Sequence, residues 1–267
     1  NAGTLVAAPP GTPADRVVQL AADAGVQFAS ATPSWWRWLL MFAGRERVAR
    51  LRLVQATLGG EVVDQQILDM LKSALPQARI VHIYATTELG RCFSVADGLA
   101  GFPARFLDQP SPDGVELRVE DGELLVRSAN RMSGYDAHSP QQADIDDGFF
   151  RTGDLVRRVG DRFVFAGRRS DIINLGGNKV FPLEVESVVR GVEGVADARV
   201  YAKVSSIAGQ LVACDVVAAG PDRQAVLDAV RQTCVQRLAP HQRPRIINLV
   251  DRIELSSAGK VIRRSNP

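Results

Sequence analysis

The sequence predicts an α/β segment that passes into a small antiparallel β-subdomain and then into a compact α+β domain. Three observations carry this reading. Short apolar runs alternate with amphipathic stretches over the first hundred residues, apolar positions switch to period two from about Asp113, and the texture changes again after residue 169. In the first segment Pro13 marks a helix start ahead of an apolar stripe at Val17, Leu20 and Ala21. Asp64 caps a second helix whose Ile67, Leu71 and Leu75 face inward. A strand-like TLVAA at 4–8 opens the chain, and the runs VQFASA, LRLVQA and ARIVHIY lie between and after the helices. Such alternation predicts a mostly parallel sheet covered by helices. Trp35, Trp36 and Trp38, beside Leu39 and Leu40, are expected to pack rather than bind.

From Asp113 onward Val115, Leu117 and Val119 alternate with polar residues, Glu120-Asp121-Gly122 supplies a turn, and Leu124 and Val126 run back. A second hairpin is expected across Val159-Gly160-Asp161-Arg162, with Phe163 and Phe165 on one face. Beyond 169 the pattern predicts a helix near Pro182, strands near 197–204 and 210–218, a helix from about Arg223 to Leu238 and a strand near 245–250. Val226, Val230, Cys234 and Leu238 recur every four residues, which buries Cys234. The expected division is 1–169, with the sheet-helix segment over about 1–100 and the β-subdomain over about 101–169, followed by 170–267.

Composition narrows the function. With 32 basic and 30 acidic residues and a net charge of +2, no field of one sign recruits nucleic acid or an anionic membrane. No apolar run reaches the roughly 18 residues of a membrane span. Cys92, Cys214 and Cys234 lack metal or disulfide spacing, which points to a reducing compartment, and the cytoplasm is the expected location. Asn1-Ala2-Gly3 reads as a scar of tag removal, and the strand-like TLVAA opens as if joining a fold already under way, so a fragment is expected.

Six segments carry unusual chemistry: LGGE at 58–61, YATTE at 84–88, GELLVRSANRMSGY at 122–135, FFRTGDL at 149–155, GRRSDIINLGGNKVFPLEVE at 167–186 and SSAGKVIRR at 256–264. In this order and at these intervals the chain resembles the adenylate-forming enzymes, the superfamily of acyl- and aryl-CoA synthetases, luciferases and peptide-synthetase adenylation domains. The resemblance implies a large AMP-binding domain, present as its carboxyl-terminal part, followed by a small mobile lid domain. It also implies a reaction. A carboxylic acid is joined to the α-phosphate of ATP with release of pyrophosphate, and a thiol, usually of coenzyme A, then attacks the acyl adenylate.

Residue by residue, the resemblance assigns Asp154 to the two ribose hydroxyls, since one carboxylate can accept from both. Arg168 contacts the ribose or phosphate as a guanidinium fork. Glu88 helps hold the Mg2+ on the phosphates, Thr87 bonds a nucleotide phosphate, and Tyr84 stacks against adenine, a packing role being the alternative for the tyrosine. Gly59 and Gly60 line the adenine site with bare backbone. Lys260 stabilises the charge that builds as the carboxylate attacks the α-phosphate. Gly176 and Gly177 let the pantetheine arm of coenzyme A pass, or else form a tight turn, and Ser170 stands at the hinge between the two half-reactions.

The departures from the family pattern are Ala85 where glycine is usual, Ser170 where aspartate or lysine is usual, and no proline before the Gly259-Lys260 turn. The Ser/Thr/Gly-rich loop that wraps the β- and γ-phosphates is not found in residues 1–60. The expectation is therefore the carboxyl-terminal part of a CoA ligase, inactive or nearly so alone. The alternatives are a ligase that loads a carrier protein and a non-catalytic half-protein that binds nucleotide or a partner. The acid activated is not legible.

Overall fold

The computed structural model describes residues 3–9, 11–135, 144–205, 209–254 and 261, with only the backbone described at 205 and 209. By its internal contacts the chain divides into two compact units, residues 1–83 with 94–100 and residues 84–93 with 101–267.

The chain order begins α1 (Ala14–Asp23), β1 (Phe28–Ala31), α2 (Pro33–Ala43), α3 (Arg45–Val48), β2 (Gln55–Leu58), α4 (Gln65–Ala74) and β3 (Arg79–Thr86), the last three residues of β3 being counted with the second unit. β1 pairs with β2, and β2 with β3, both parallel as expected. β4 (Gly90–Val95) completes a sheet of order β1-β2-β3-β4. Asp64 accepts from the Ile67 amide at 3.0 Å and so starts α4, whose Ile67, Leu68 and Leu71 are fully or nearly fully buried. The stripe of α1 sits one residue away from expectation. Ala14 and Val18 enter the core, while Val17 and Ala21 pack against its edge.

Two sequence expectations fail here. TLVAA forms no strand: among the described residues it has no ladder partner, and Leu5 is 91% exposed. Alternating or apolar composition makes a strand only where a neighbouring edge accepts its hydrogen bonds. LRLVQA begins its strand only at Gln55. The tryptophans do pack. Trp36 is wholly buried and donates its indole N–H to Thr57 O at 3.1 Å, and Trp35 and Trp38 cover the same core.

The second unit contains a six-stranded antiparallel sheet built from β5 (Phe102–Pro103), β6 (Glu116–Glu120), β7 (Glu123–Arg127), β8 (Ile145–Asp146), β9 (Phe149–Val159) and β10 (Arg162–Arg168). Its order is β5-β10-β9-β7-β6, with β8 on β9. Both expected hairpins are present. Asp121 and Gly122 stand at φ +51° and +76°, the left-handed pair that a two-residue turn between twisted strands requires. Gly160, at φ +60°, turns β9 into β10.

The remainder comprises β11 (Ile173–Leu175), β12 (Asn178–Val180), α5 (Pro182–Arg190), β13 (Val195–Ser205), β14 (Gly209–Ala218), α6 (Arg223–Arg237) and β15 (Ile246–Val250). β13 and β14 pair antiparallel and β15 joins β14 in parallel. A core of residues between Ile173 and Leu249 lies here, with Val230 and Cys234 of α6 inside it. All three cysteines are free and buried. Among the described residues no helix is long and apolar enough to cross a membrane, which says nothing of β-barrels.

Candidate functional site

Asp154 owes its position to a bulge. β7 pairs Glu123 with Leu155 and Leu125 with Arg151, so Thr152, Gly153 and Asp154 all face the single residue Leu124. The excess chain bows out of the ladder, and Gly153 takes φ +72°, where an L side chain would be strained. The groups released from the ladder find other partners. Thr152 donates its hydroxyl to Leu124 O at 2.6 Å, the Asp154 amide donates to Thr152 Oγ1 at 3.0 Å, and the Gly153 amide donates to Glu123 Oε1 at 2.9 Å.

The Asp154 carboxylate is thereby fixed within the β-subdomain, only 8% exposed. Tyr84 donates its hydroxyl to Oδ2 at 2.6 Å and Arg168 donates Nε–H to Oδ1 at 2.9 Å. Arg168 faces Asp154 across the β9–β10 pairing because one extra residue, Ala166, shifts the register between Phe165 and Gly167. Burial first, and then the charge and hydrogen bond of Asp154, push the Tyr84 hydroxyl well above its ordinary range, so the phenol stays a donor. The charge of Asp154 likewise raises the Arg168 guanidinium.

Three of the residues named from sequence thus meet at one point. Tyr84 also stacks on Phe93 and Phe165, with ring centres 5.2 and 5.1 Å away. An adenine ring would have to join or displace that stack. Thr87 and Glu88 occupy the turn after β3. Tyr135 donates its hydroxyl to Glu88 Oε1 at 3.1 Å, and the Met132 amide donates to Glu88 O at 2.7 Å. Ala85 is exposed.

Gly176 and Gly177, at φ +54° and +95°, are the two-residue turn between β11 and β12, and a Cβ on either would meet nothing within 4 Å. In this conformation the turn accounts for both glycines. Ser170 lies in a short 3-10 turn, Arg169–Asp171, and donates its hydroxyl to Asp171 Oδ1 at 3.1 Å. Gly59 and Gly60 belong to the first unit, where the Gly59 amide donates to Ala31 O at 3.2 Å and Gly60 stands at φ +81°. Lys260 lies outside the described residues.

The donor and acceptor sets can be tested against the groups the resemblance implies. A carboxylate offers about four lone-pair sites. Asp154 uses one for Tyr84 and one for Arg168, which leaves acceptors for two neighbouring hydroxyls. Glu88 retains acceptor capacity beside Tyr135. A lone carboxylate suits Mg2+, which is commonly held by one or two carboxylates together with substrate phosphates. Among the described residues no three His, Cys, Asp or Glu side chains gather as a metal site.

Sequence reading missed Glu123 and Tyr135. Glu123 is 3% exposed, and it accepts from Arg151 Nη1 at 3.0 Å and Arg169 Nη2 at 2.8 Å in addition to Gly153. The available signal was an acid directly before the apolar run of β7. Its partners lie 28 to 46 residues away, beyond any local spacing rule.

Residues 1–136 match the model of the AMP-binding enzymes and residues 184–260 that of the AMP-binding enzyme C-terminal domain. The chain is 29% identical over 281 residues to a fatty acid–acyl-carrier-protein ligase of Streptomyces coeruleorubidus, covering 99% of this chain and 54% of that protein. It is 31% identical over 286 residues to a salicylyl-CoA synthase/salicylate adenylyltransferase of a Streptomyces species, covering 98% and 50%. The chain therefore spans about half the length of these relatives. Its fold matches that of an anthranilate CoA ligase solved with anthranoyl-AMP, with a TM-score of 0.78 at 19% identity over 93% of this chain and 50% of that one. At that identity the likeness concerns the fold.

Proposed function

Because this chain belongs to the AMP-binding enzymes, an adenylate-forming family whose members include ligases, we propose that its whole protein activates a carboxylic acid with ATP and transfers the acyl group to the thiol of coenzyme A. The observation that carries this reading is the buried Asp154 carboxylate, presented by the bulge of β9 and flanked by Tyr84 and Arg168. A preset carboxylate of this kind binds a ribose diol without reorganising.

On this reading Arg168 orients Asp154 and offers its remaining N–H groups to ribose or phosphate oxygens. Thr87 and Glu88, at the carboxyl end of β3, meet the phosphates, the usual location for ligands of a parallel sheet. Magnesium, when bound at Glu88, neutralises phosphate charge. Tyr84 contacts the adenine through the aromatic stack. Lys260 supplies the ammonium at the reacting α-phosphate. Residues 170–267 form a lid that turns about Ser170 between half-reactions, and Gly176-Gly177 approaches the pantetheine arm in the turned state. The three free thiols favour the cytoplasm.

A second reading, transfer to a carrier protein, is favoured by the likeness to the acyl-carrier-protein ligase. ATP–pyrophosphate exchange by the whole protein over a panel of aryl and fatty acids tests the first half-reaction. Offering coenzyme A and a pantetheinylated carrier side by side separates the two acceptors. Absence of acid-dependent exchange across the panel would remove the adenylation reading.

A further inference from the structure

The geometry points to Glu123 as a positioning residue that ties the bulge bearing Asp154 to the segment just before Ser170. This inference rests on the functional reading above for its consequence, but not for its contacts. Glu123 is the first residue of β7, and its carboxylate is nearly sealed, with the side chain 4% exposed. Its two oxygens are divided between two tasks. Oε1 accepts the Gly153 amide, a donor that the bulge has left without a ladder partner. Oε2 accepts from Arg151 and from Arg169, the residue between Arg168 and Ser170.

A buried carboxylate bonded at both oxygens is held in a single orientation, since loss of any partner leaves polar groups poorly satisfied. Glu123 therefore sets the height of Gly153, and with it the direction of Asp154. Through Arg169 it holds the chain beside Arg168 against the same sheet. The Glu123–Arg169 pair is charge-assisted, and its two residues are 46 apart in sequence. Any rotation of the following domain is then confined to positions after Arg169, so that Arg168 stays on Asp154 while the lid moves.

Two substitutions loosen the tether to Arg169 from its two ends. Glu123→Gln keeps an oxygen for the Gly153 amide but meets the arginines with an amide group, whereas Arg169→Ala removes only a side chain that is 58% exposed. The test uses the 267-residue chain with AMP as the probe, in wild type, both single variants and the double variant. Amide exchange is followed across residues 166–173 and 149–159. In both single variants exchange over 166–173 should rise about tenfold and AMP affinity should fall about tenfold, with the double variant no worse than either, because linked residues are not additive.

Unchanged exchange over 166–173 in both single variants, or effects that add in the double variant, would overturn the inference. If wild type does not bind AMP, the affinity comparison is made in the whole protein, and the exchange comparison in this chain still decides whether Glu123 holds Arg169.

Discussion

Replacing Asp154 by alanine should destabilise the β-subdomain chiefly by removing the carboxylate that accepts from the Tyr84 hydroxyl, which keeps only its contact with Thr152. In the native arrangement that hydroxyl has its 2.6 Å bond to Oδ2, lies among Phe93 and Phe165 and cannot ionise to escape. An unsatisfied buried donor costs about 1–3 kcal/mol. The Arg168 pair adds little, since its side chain is 58% exposed and such pairs are worth about 0–1 kcal/mol after solvent screening. Asp154→Ala should therefore cost about 2–3 kcal/mol. Tyr84→Phe alone should cost about 1 kcal/mol. In the Asp154→Ala background, however, Tyr84→Phe removes a donor that has lost its main acceptor and should recover about 1 kcal/mol. The same substitution thus changes sign with its neighbour. The assay must report on the right unit. All three tryptophans lie at 35, 36 and 38, so indole emission follows the first unit, and amide exchange over 149–159 is the suitable probe. A double variant no more protected than Asp154→Ala would refute the reasoning.

Other outcomes follow from the same structure. Gly101→Ala should prevent stable folding of the second unit, because a Cβ at φ +72° would lie 2.0 Å from the backbone oxygen of Phe163, whereas Gly114→Ala, at φ +74° in open space, should cost only about 1–2 kcal/mol by urea titration. Burial first, then the charge of Asp154, raise the Cys92 thiol from its ordinary 9.0 to about 12. The folded state therefore prefers the thiol, its stabilising contribution is complete below pH 9.0, and it is lost as pH rises toward about 12; a Cys92→Ala variant should show a shallower alkaline decline in unfolding midpoint. Trp36→Ala should lower the stability of the first unit by about 3–5 kcal/mol, read by circular dichroism during denaturation, since it empties a fully buried site and removes the indole bond to Thr57 O.

Much of the fold was legible because local signals were strong. Asp64 announces α4, Asp121-Gly122 and Gly160 announce the hairpins, and the four-residue recurrence in α6 buries Cys234. α2 was not anticipated. PSWWRWLLMFA shows little alternation of polar and apolar faces, and its start signal is Thr32, whose hydroxyl accepts from the Trp35 amide at 3.2 Å, followed by Pro33. At the site, counting back from the Val159–Arg162 turn sets Asp154 opposite Gly167, and only the bulge at Ala166 brings Arg168 there. The 70-residue separation of Tyr84 from Asp154, and the attachment of Glu123 to Gly153 and Arg169, are products of tertiary pairing that no spacing in the chain expresses.

The most direct test is calorimetric titration of the 267-residue chain with a non-hydrolysable acyl-adenylate analogue, in parallel with Asp154→Asn, which preserves shape and removes the charge. Wild type should bind and the variant should lose at least about tenfold in affinity, because two ribose hydroxyls donate to that carboxylate. Equal affinity in the two proteins would contradict this and remove Asp154 from the nucleotide site.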